Sequence, residues 1–332
     1  MFNNDIKFSL WCDFVERSFL EQEFGALIEK NIVNAATSNP AIFKSAFLTS
    51  KAYADDKARL QGKSPKEIYE ALAIQDITLA AQKLLPSFEK GDDGFISIEV
   101  DPFLCDDALG TIEEGKRLFN AIGYPNVMIK VPATEAGFVA MEALFSEGIN
   151  VNATLIFSDA QTQKCLEAFK RGNRLLKEKG CSTLPQAVIS IFVSRFDRKL
   201  DDALKKLDFV TSRVGIMNAM RCYARIQKEE LSNVRALFAS TGVKGNEISP
   251  DYYIKELVLE NSINTAPLGT IQAFLALSPA CEKVELREDW ISNFFDSLSA
   301  NGIDMNAVCE ELMTEGLSAF KEAFVEILND LK

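Results

Sequence analysis

The chain has 332 residues, 47% of them hydrophobic and 25% charged, the balance of a globular protein long enough for one large barrel or two ordinary domains. Forty-eight acidic against 36 basic residues leave a net charge of −12, which excludes a general nucleic-acid binder, and no run of ~18 apolar residues is available to span a membrane. Histidine is absent, which removes Ser-His-Asp and Cys-His catalysis and every His-ligated metal site, so proton transfer falls to Asp, Glu, Lys, Tyr, Cys or water.

The opening stretch MFNNDIKFSLWCD lacks the basic region and long apolar core of a secretion signal, which predicts a cytoplasmic protein. Its residues 6–13 form the first strand candidate, with Ser9, Trp11 and Asp13 on one face. A second candidate follows at 31–38, and the insertion 39–94 after it reads as helical. Within that insertion Ser64-Pro65-Lys66-Glu67 supplies an N-cap, a first-turn proline and a capping-box acid. The third strand, 95–101, sets Ser97, Glu99 and Asp101 against Ile96, Ile98 and Val100. In the fourth, 127–132, Lys130 lies between Ile129 and Val131 and faces the other way. Thr134 opens a helix that Gly148 can close. The fifth strand, 150–157, sets Asn150, Asn152 and Thr154 opposite Val151, Ala153 and Leu155; Ser158 then opens a helix that Gly180 can close. Strands six to eight are expected at 187–194, 234–241 and 261–267, with a helical tail beyond 270. The seven cysteines, at 12, 105, 165, 181, 222, 281 and 309, are scattered with no C-x-x-C pair, as reduced and mostly buried small residues would be.

Eight strands alternating with helices predict an α/β protein: a single (β/α)8 TIM barrel over residues 1–332, with extra helices in the β2–β3 insertion and at the C-terminus. A doubly wound open sheet competes, but no G-x-G-x-x-G follows the first strand and no G-x-x-x-x-G-K-[ST] occurs. A buried parallel strand normally reads as a continuous apolar run. Here four strands carry acid, base, amide or hydroxyl at one parity, which gathers those groups on the inner wall of the barrel. A solvent-exposed sheet face would show the same alternation in any one strand.

Lys130 is flanked by Val127, Met128, Ile129, Val131 and Pro132. Burial disfavours a charged ammonium, and the neutral amine is the form a Schiff-base nucleophile needs. A structural ion pair with Glu99, on the preceding strand at the same parity, is the alternative that periodicity leaves open.

At these residues the chain resembles the transaldolase family, in its longer bacterial branch within the class I aldolase superfamily. Ala36-Thr37-Ser38-Asn39-Pro40 matches the second-strand motif, and Ile129-Lys130-Val131-Pro132-Ala133-Thr134 with Gly137 the lysine motif. The fifth-strand block is Gly148 to Ser158, and the sixth is Ser190-Ile191-Phe192-Val193-Ser194-Arg195. Ala239-Ser240-Thr241-Gly242-Val243-Lys244 and Asn264-Thr265-Ala266-Pro267 resemble the last two strands.

The resemblance implies a transferase of the pentose phosphate pathway that needs neither metal nor cofactor. It moves a dihydroxyacetone unit from sedoheptulose 7-phosphate to glyceraldehyde 3-phosphate, giving erythrose 4-phosphate and fructose 6-phosphate. Its partners are sugar phosphates, with no nucleic acid and no membrane; monomer and homodimer both stay open. Carried over by position, Lys130 is the Schiff-base lysine, Glu99 and Thr154 hold the proton-shuttling water, and Asp13 takes the proton from the C4 hydroxyl. Asn39 and Asn152 bond the dihydroxyacetone hydroxyls, Phe192 and Ser190 line the site, and Arg195 with Ser240 binds phosphate. The chain departs from other branches at Gly242, where they carry a second phosphate-binding arginine; Lys244 is the candidate replacement. Two other functions stay open. One is a Schiff-base aldolase that releases dihydroxyacetone, against which Phe192 stands where short aldolases often have tyrosine. The other is a non-catalytic sugar-phosphate-binding barrel.

Overall fold

The computed structural model describes residues 2–278 and 282–332. Eight parallel strands close into a barrel in sequence order: β1 (Ser9–Cys12), β2 (Ala35–Ala36), β3 (Ile96–Glu99), β4 (Val127–Pro132), β5 (Asn150–Ile156), β6 (Ala187–Phe192), β7 (Val234–Ala239) and β8 (Ser262–Ala266). The seam is closed by β1 on β8, with Ser9 opposite Ile263 and Cys12 opposite Ala266. This is the (β/α)8 architecture that the alternating pattern predicts, and every expected strand is present.

Between β1 and β2 run α1 (Arg17–Gln22) and α2 (Phe24–Glu29). The β2–β3 insertion holds α3 (Pro40–Thr49), a 3-10 turn at Lys51–Tyr53, α4 (Ala54–Arg59) and α5 (Pro65–Glu89). The later crossovers hold α6 (Ala108–Ile122), α7 (Glu135–Ser146), α8 (Asp159–Glu178), α9 (Ser194–Lys206), α10 (Val214–Lys228) and the short α11 (Tyr252–Lys255). Beyond β8 lie α12 (Leu268–Leu277), α13 (Glu288–Ala300) and α14 (Met305–Asp330). Ser64 and Ser158 both form complete capping boxes, with Glu67 and Gln161, and Thr134 caps α7. Gly148 and Gly180 follow their helices with positive φ, as stops that favour glycine.

Residues of opposite parity on each strand face opposite layers. Ile129 on β4 points outward, where a Cβ on Gly115 of α6 would stand 3.2 Å from its Cγ2. Because the helices cover that face with apolar side chains, the polar parity of β3, β4 and β5 is left pointing into the barrel. The N-terminal end of the barrel is plugged by structural bonds: Trp11 Nε1 donates to Asp93 Oδ2 at 2.8 Å, and Arg235 pairs with Asp93 Oδ1 at 2.7 Å. That leaves the C-terminal end of the strands, where the βα loops gather, as the working face.

Two expectations need correction. The second strand shortens to Ala35–Ala36, because Thr37 to Asn39 turn away to bond the site and to cap α3. Asp101 does not share the inner wall with Glu99, since β3 ends at Glu99. Asp101 instead caps the 3-10 turn Pro102–Leu104 and pairs with Lys66 at 2.6 Å.

Cys12, Cys105, Cys165, Cys222 and Cys309 are buried free thiols and Cys181 is exposed; Cys281 lies outside the described residues. No helix among the described residues is long and apolar enough to cross a membrane.

Candidate active site

Lys130 sits on β4 with its side chain in the barrel lumen and 5% of its surface exposed. Its Nζ donates to the Ser38 carbonyl at 3.0 Å and lies 3.6 Å from Glu99 Oε2, an ion pair longer than a hydrogen bond. The pairing follows from register: Glu99 is directly opposite Lys130, and Lys130 is opposite Asn152, so the three share one inward face.

Burial pushes the Glu99 carboxyl up to about 7, against the pull of the Lys130 charge, and the Asp13 carboxylate pushes it further up. Glu99 Oε2 and Thr154 Oγ1 are both buried without a hydrogen-bond partner. Thr154 is opposite Pro132 in the β4–β5 register, which gives it the inward parity of Lys130. The next residue, Leu155, takes a left-handed φ of 58° and the β5–β6 register shifts there, so alternation ends just above Thr154.

Asp13 follows β1 at the mouth of the barrel and is partly accessible. Thr37 donates to its Oδ1 at 2.6 Å, and Thr37 in turn meets Thr265 Oγ1 at 2.7 Å. Burial raises the Asp13 pKa, while Lys130 and the Thr37 hydroxyl pull it down. The lysine thus has two carboxylates near it, Glu99 enclosed on β3 and Asp13 just past β1 at the rim.

The amides have structural partners already. Asn39 caps α3, its Oδ1 accepting from Ile42 N at 3.0 Å, which leaves its Nδ2 free of that bond. Asn152 is fully buried; its Oδ1 accepts from Ser190 at 2.6 Å and its Nδ2 donates to Ser97 at 3.0 Å. Ser190 therefore orients Asn152 as well as lining the lumen. Phe192 packs on Phe157 with ring centroids 5.3 Å apart, and the Arg195 guanidinium lies 5.2 Å from the Phe192 centroid.

Arg195 stands in the first turn of α9, just beyond the strand. Its neighbour in sequence, Asp197, is engaged elsewhere: it accepts from Gly215 N at 3.0 Å and from Tyr253 at 2.8 Å. Arg195 has no carboxylate within salt-bridge distance among the described residues, and burial, then the Arg198 charge, lowers its pKa. Ser240 adopts φ 56° and its hydroxyl meets Ser194 Oγ at 3.1 Å, which ties the end of β7 to the start of α9. Lys244 is exposed and lines a cleft with Ser194, Arg198 and Lys205.

The sequence-predicted residues therefore gather at one end of the barrel, Lys244 being the most peripheral. Thr37, Ser38, Ser97 and Thr265 also belong to the framework, and their parity and motif positions were visible signals. Phe320 of α14, whose centroid is 5.8 Å from Lys130 Nζ, had none.

Residues 10–331 match the family model described as transaldolase/fructose-6-phosphate aldolase. The chain belongs to that family. A protein of Campylobacter jejuni subsp. doylei named transaldolase is 50% identical over 335 residues, covering 98% of this chain and 99% of the relative. A Helicobacter pylori protein of the same name is 45% identical over 325 residues, covering 97% and 99%. A family that unites transaldolases with a fructose-6-phosphate aldolase shares one question: whether the three-carbon unit held on the enzyme goes to a second sugar or to water.

Proposed function

We propose that this chain is a transaldolase, moving a dihydroxyacetone unit between sugar phosphates through an imine on Lys130. The observation that carries the reading is the enclosed Lys130–Glu99 pair at 3.6 Å, with Asp13 at the rim of the same lumen. A lysine attacks a carbonyl as the neutral amine, so a carboxyl poised near 7 beside it is a fit proton acceptor and donor.

Lys130 adds to the C2 carbonyl of sedoheptulose 7-phosphate to give a carbinolamine. Glu99, through a water shared with Thr154, protonates the departing hydroxyl, and water leaves. The protonated imine then accepts the electron pair of the C3–C4 bond as Asp13 removes the C4 hydroxyl proton. Erythrose 4-phosphate departs, and the enamine remains on Lys130. The enamine carbon attacks the aldehyde of glyceraldehyde 3-phosphate, Asp13 returns the proton, and hydrolysis of the new imine releases fructose 6-phosphate. Asn39 and the remaining Asn152 N–H would hold the hydroxyls of the three-carbon unit. Phe192 and Ser190 would line it, with Arg195 and Ser240 at the phosphate and Lys244 a distal contributor of charge. The whole chain, residues 1–332, acts as one catalytic domain in the cytoplasm.

The test is borohydride trapping of the full chain with fructose 6-phosphate, followed by peptide mapping. A ketose adduct on the Lys130 peptide that Lys130→Ala abolishes supports the reading. An adduct that persists in Lys130→Ala, or maps to Lys51 or Lys244, sinks it.

A further inference from the structure

The C-terminal tail is more than decoration on the barrel. Helix α14 runs across the mouth of the lumen and is tied down on both sides. Lys199 of α9 pairs with Glu311 at 2.7 Å and Glu315 at 2.8 Å. Lys44 of α3 pairs with Glu326, and Lys57 of α4 with Asp330 at 3.0 Å. Between these anchors Gly316 lets the helix settle on β5: a Cβ there would stand 2.9 Å from Leu155 Cδ2 and 3.4 Å from Arg195 Nη1. One turn further, the Phe320 ring lies over Lys130 Nζ with its centroid 5.8 Å away, and the residue is 6% exposed. One turn beyond that, Phe324 packs edge-on against Tyr69 at 5.0 Å.

We propose that Phe320 is a positioning residue that holds the imine in its charged form and keeps the three-carbon unit for the acceptor sugar. The inference rests on the Lys130 imine proposed above.

Two physical effects converge on that ring. An aromatic face attracts a desolvated cation, and the protonated imine puts its positive charge on the nitrogen Phe320 covers. The same ring displaces water from the side of the lumen that α14 closes. Water matters after the C3–C4 bond breaks. If the enamine carbon takes a proton from solvent, the imine re-forms; addition of water then returns the free amine, a proton and dihydroxyacetone. That sequence is release, the aldolase outcome. Attack on an aldehyde instead completes transfer. A ring over the nitrogen, on a helix fixed at both ends, biases the partition toward transfer.

The experiment compares the full-length wild type with Phe320→Ala and with pentafluorophenylalanine introduced at position 320. The first removes both ring and bulk; the second keeps the bulk and reverses the ring's electrostatics. Fructose 6-phosphate is supplied with and without erythrose 4-phosphate. Borohydride-trapped imine is measured, together with the ratio of dihydroxyacetone released to unit transferred. The fluorinated ring should lower the trapped fraction on the order of tenfold with the ratio unchanged. Phe320→Ala should lower it similarly and raise the release-to-transfer ratio severalfold. If Phe320→Ala fails to fold, the fluorinated protein alone decides the electrostatic half, since its shape is nearly that of phenylalanine. Wild-type values for both readouts overturn the proposal, as does a lower turnover with trapped fraction and ratio unchanged, the pattern of a merely structural side chain. If Lys130→Ala loses the adduct while the Phe320 variants behave as wild type, only the present inference fails. Trapping that survives Lys130→Ala overturns both.

Discussion

Glu99 Oε2 lies 3.6 Å from Lys130 Nζ across the β3–β4 register, in a lumen where neither residue is more than 6% exposed. Two opposite charges withdrawn from water attract strongly but lose much solvation. Burial outweighs the lysine's attraction at Glu99, which is why its carboxyl titrates at about 7 and not in the ordinary carboxylate range. That balance would serve the proposed proton transfer and is costly to stability, and both consequences can be measured.

In the proposed mechanism, Glu99 as carboxylate is the form that would accept a proton during imine formation. Imine formation in single-turnover borohydride trapping should therefore rise with pH through about 7. Glu99→Gln should slow that step by about 10²-fold to 10⁴-fold and remove the rise. Asp13→Asn should instead accumulate trapped imine while failing to cleave it. Superimposable single-turnover traces for the two variants would refute the division of labour.

On the stability side, burial also raises Asp76 and Asp197 to about 6 from an ordinary 3.8. Tyr53 and Arg17 bond Asp76, and Gly215 N and Tyr253 bond Asp197, without overcoming burial. A carboxyl with a raised folded-state pKa binds more protons folded than unfolded over the interval between the two values. Stability then falls as pH rises through that interval. The melting temperature should decline from about pH 4 to about pH 7, and Glu99→Gln should flatten the upper part of that decline. Glu16 and Asp251, whose pKa values are lowered, act below the ordinary carboxylate range and leave this window alone. A melting temperature that climbs steadily across the window would contradict the assignment.

Most of the barrel was legible because parallel strands under helices leave a plain mark: Val127 to Pro132 reads apolar except at Lys130, and the exception points to the lumen. Helix starts were legible where side-chain chemistry fixes them, at Ser64, Thr134 and Ser158. Alternation misled wherever a strand ended sooner than its pattern, which is how Asp101 was placed inside. The roles of Thr37 toward Asp13 and of the Ser38 carbonyl toward Lys130 depend on the chain leaving β2 after two residues, and no periodicity encodes that exit. Phe320 was invisible for a different reason. A phenylalanine on an amphipathic helix reads as packing, and only the crossing of α14 over the lumen sets it on the lysine.

Gly137 tests how tightly the lysine strand is held to its helix. It lies in the first turn of α7, and a Cβ on it would come within 1.9 Å of the Pro132 carbonyl oxygen. Backbone cannot yield as a flexible side chain does, so Gly137→Ala should lower the melting temperature by about 2–10 °C, an overpacking cost of ~1–3 kcal/mol. The strand end that moves carries Lys130 two residues earlier, so trapped imine should fall as well. An unchanged melting curve would mean that the β4–α7 turn shifts far enough to admit a methyl group.

Arg195 is the remaining charge to account for. The ordinary alternative for an arginine in the first turn of a helix is a local ion pair, and its obvious partner, Asp197, is taken up by Gly215 N and Tyr253. The guanidinium instead lies beside Phe192, with Arg198 near enough to lower its pKa further after burial has done so. Two neighbouring cations at the start of the thirteen-residue α9 suit an anion, with the Glu315 carboxylate of α14 offsetting part of the Arg195 charge. The Ser194–Ser240 hydroxyl contact holds the end of β7 against that turn, at the rim where barrels of this class collect phosphate. A charge-assisted contact contributes about 1.5–3 kcal/mol, so Arg195→Ala should raise the Michaelis constant for fructose 6-phosphate by about tenfold to a hundredfold. Lys244→Ala, from an exposed position, should raise it by less than that. Dihydroxyacetone and unphosphorylated fructose lack the group that Arg195 would hold, so their turnover should change far less. Steady-state kinetics on the phosphorylated and unphosphorylated donors decide the matter: an equal loss on both would return Arg195 to the packing of Phe192 and α14.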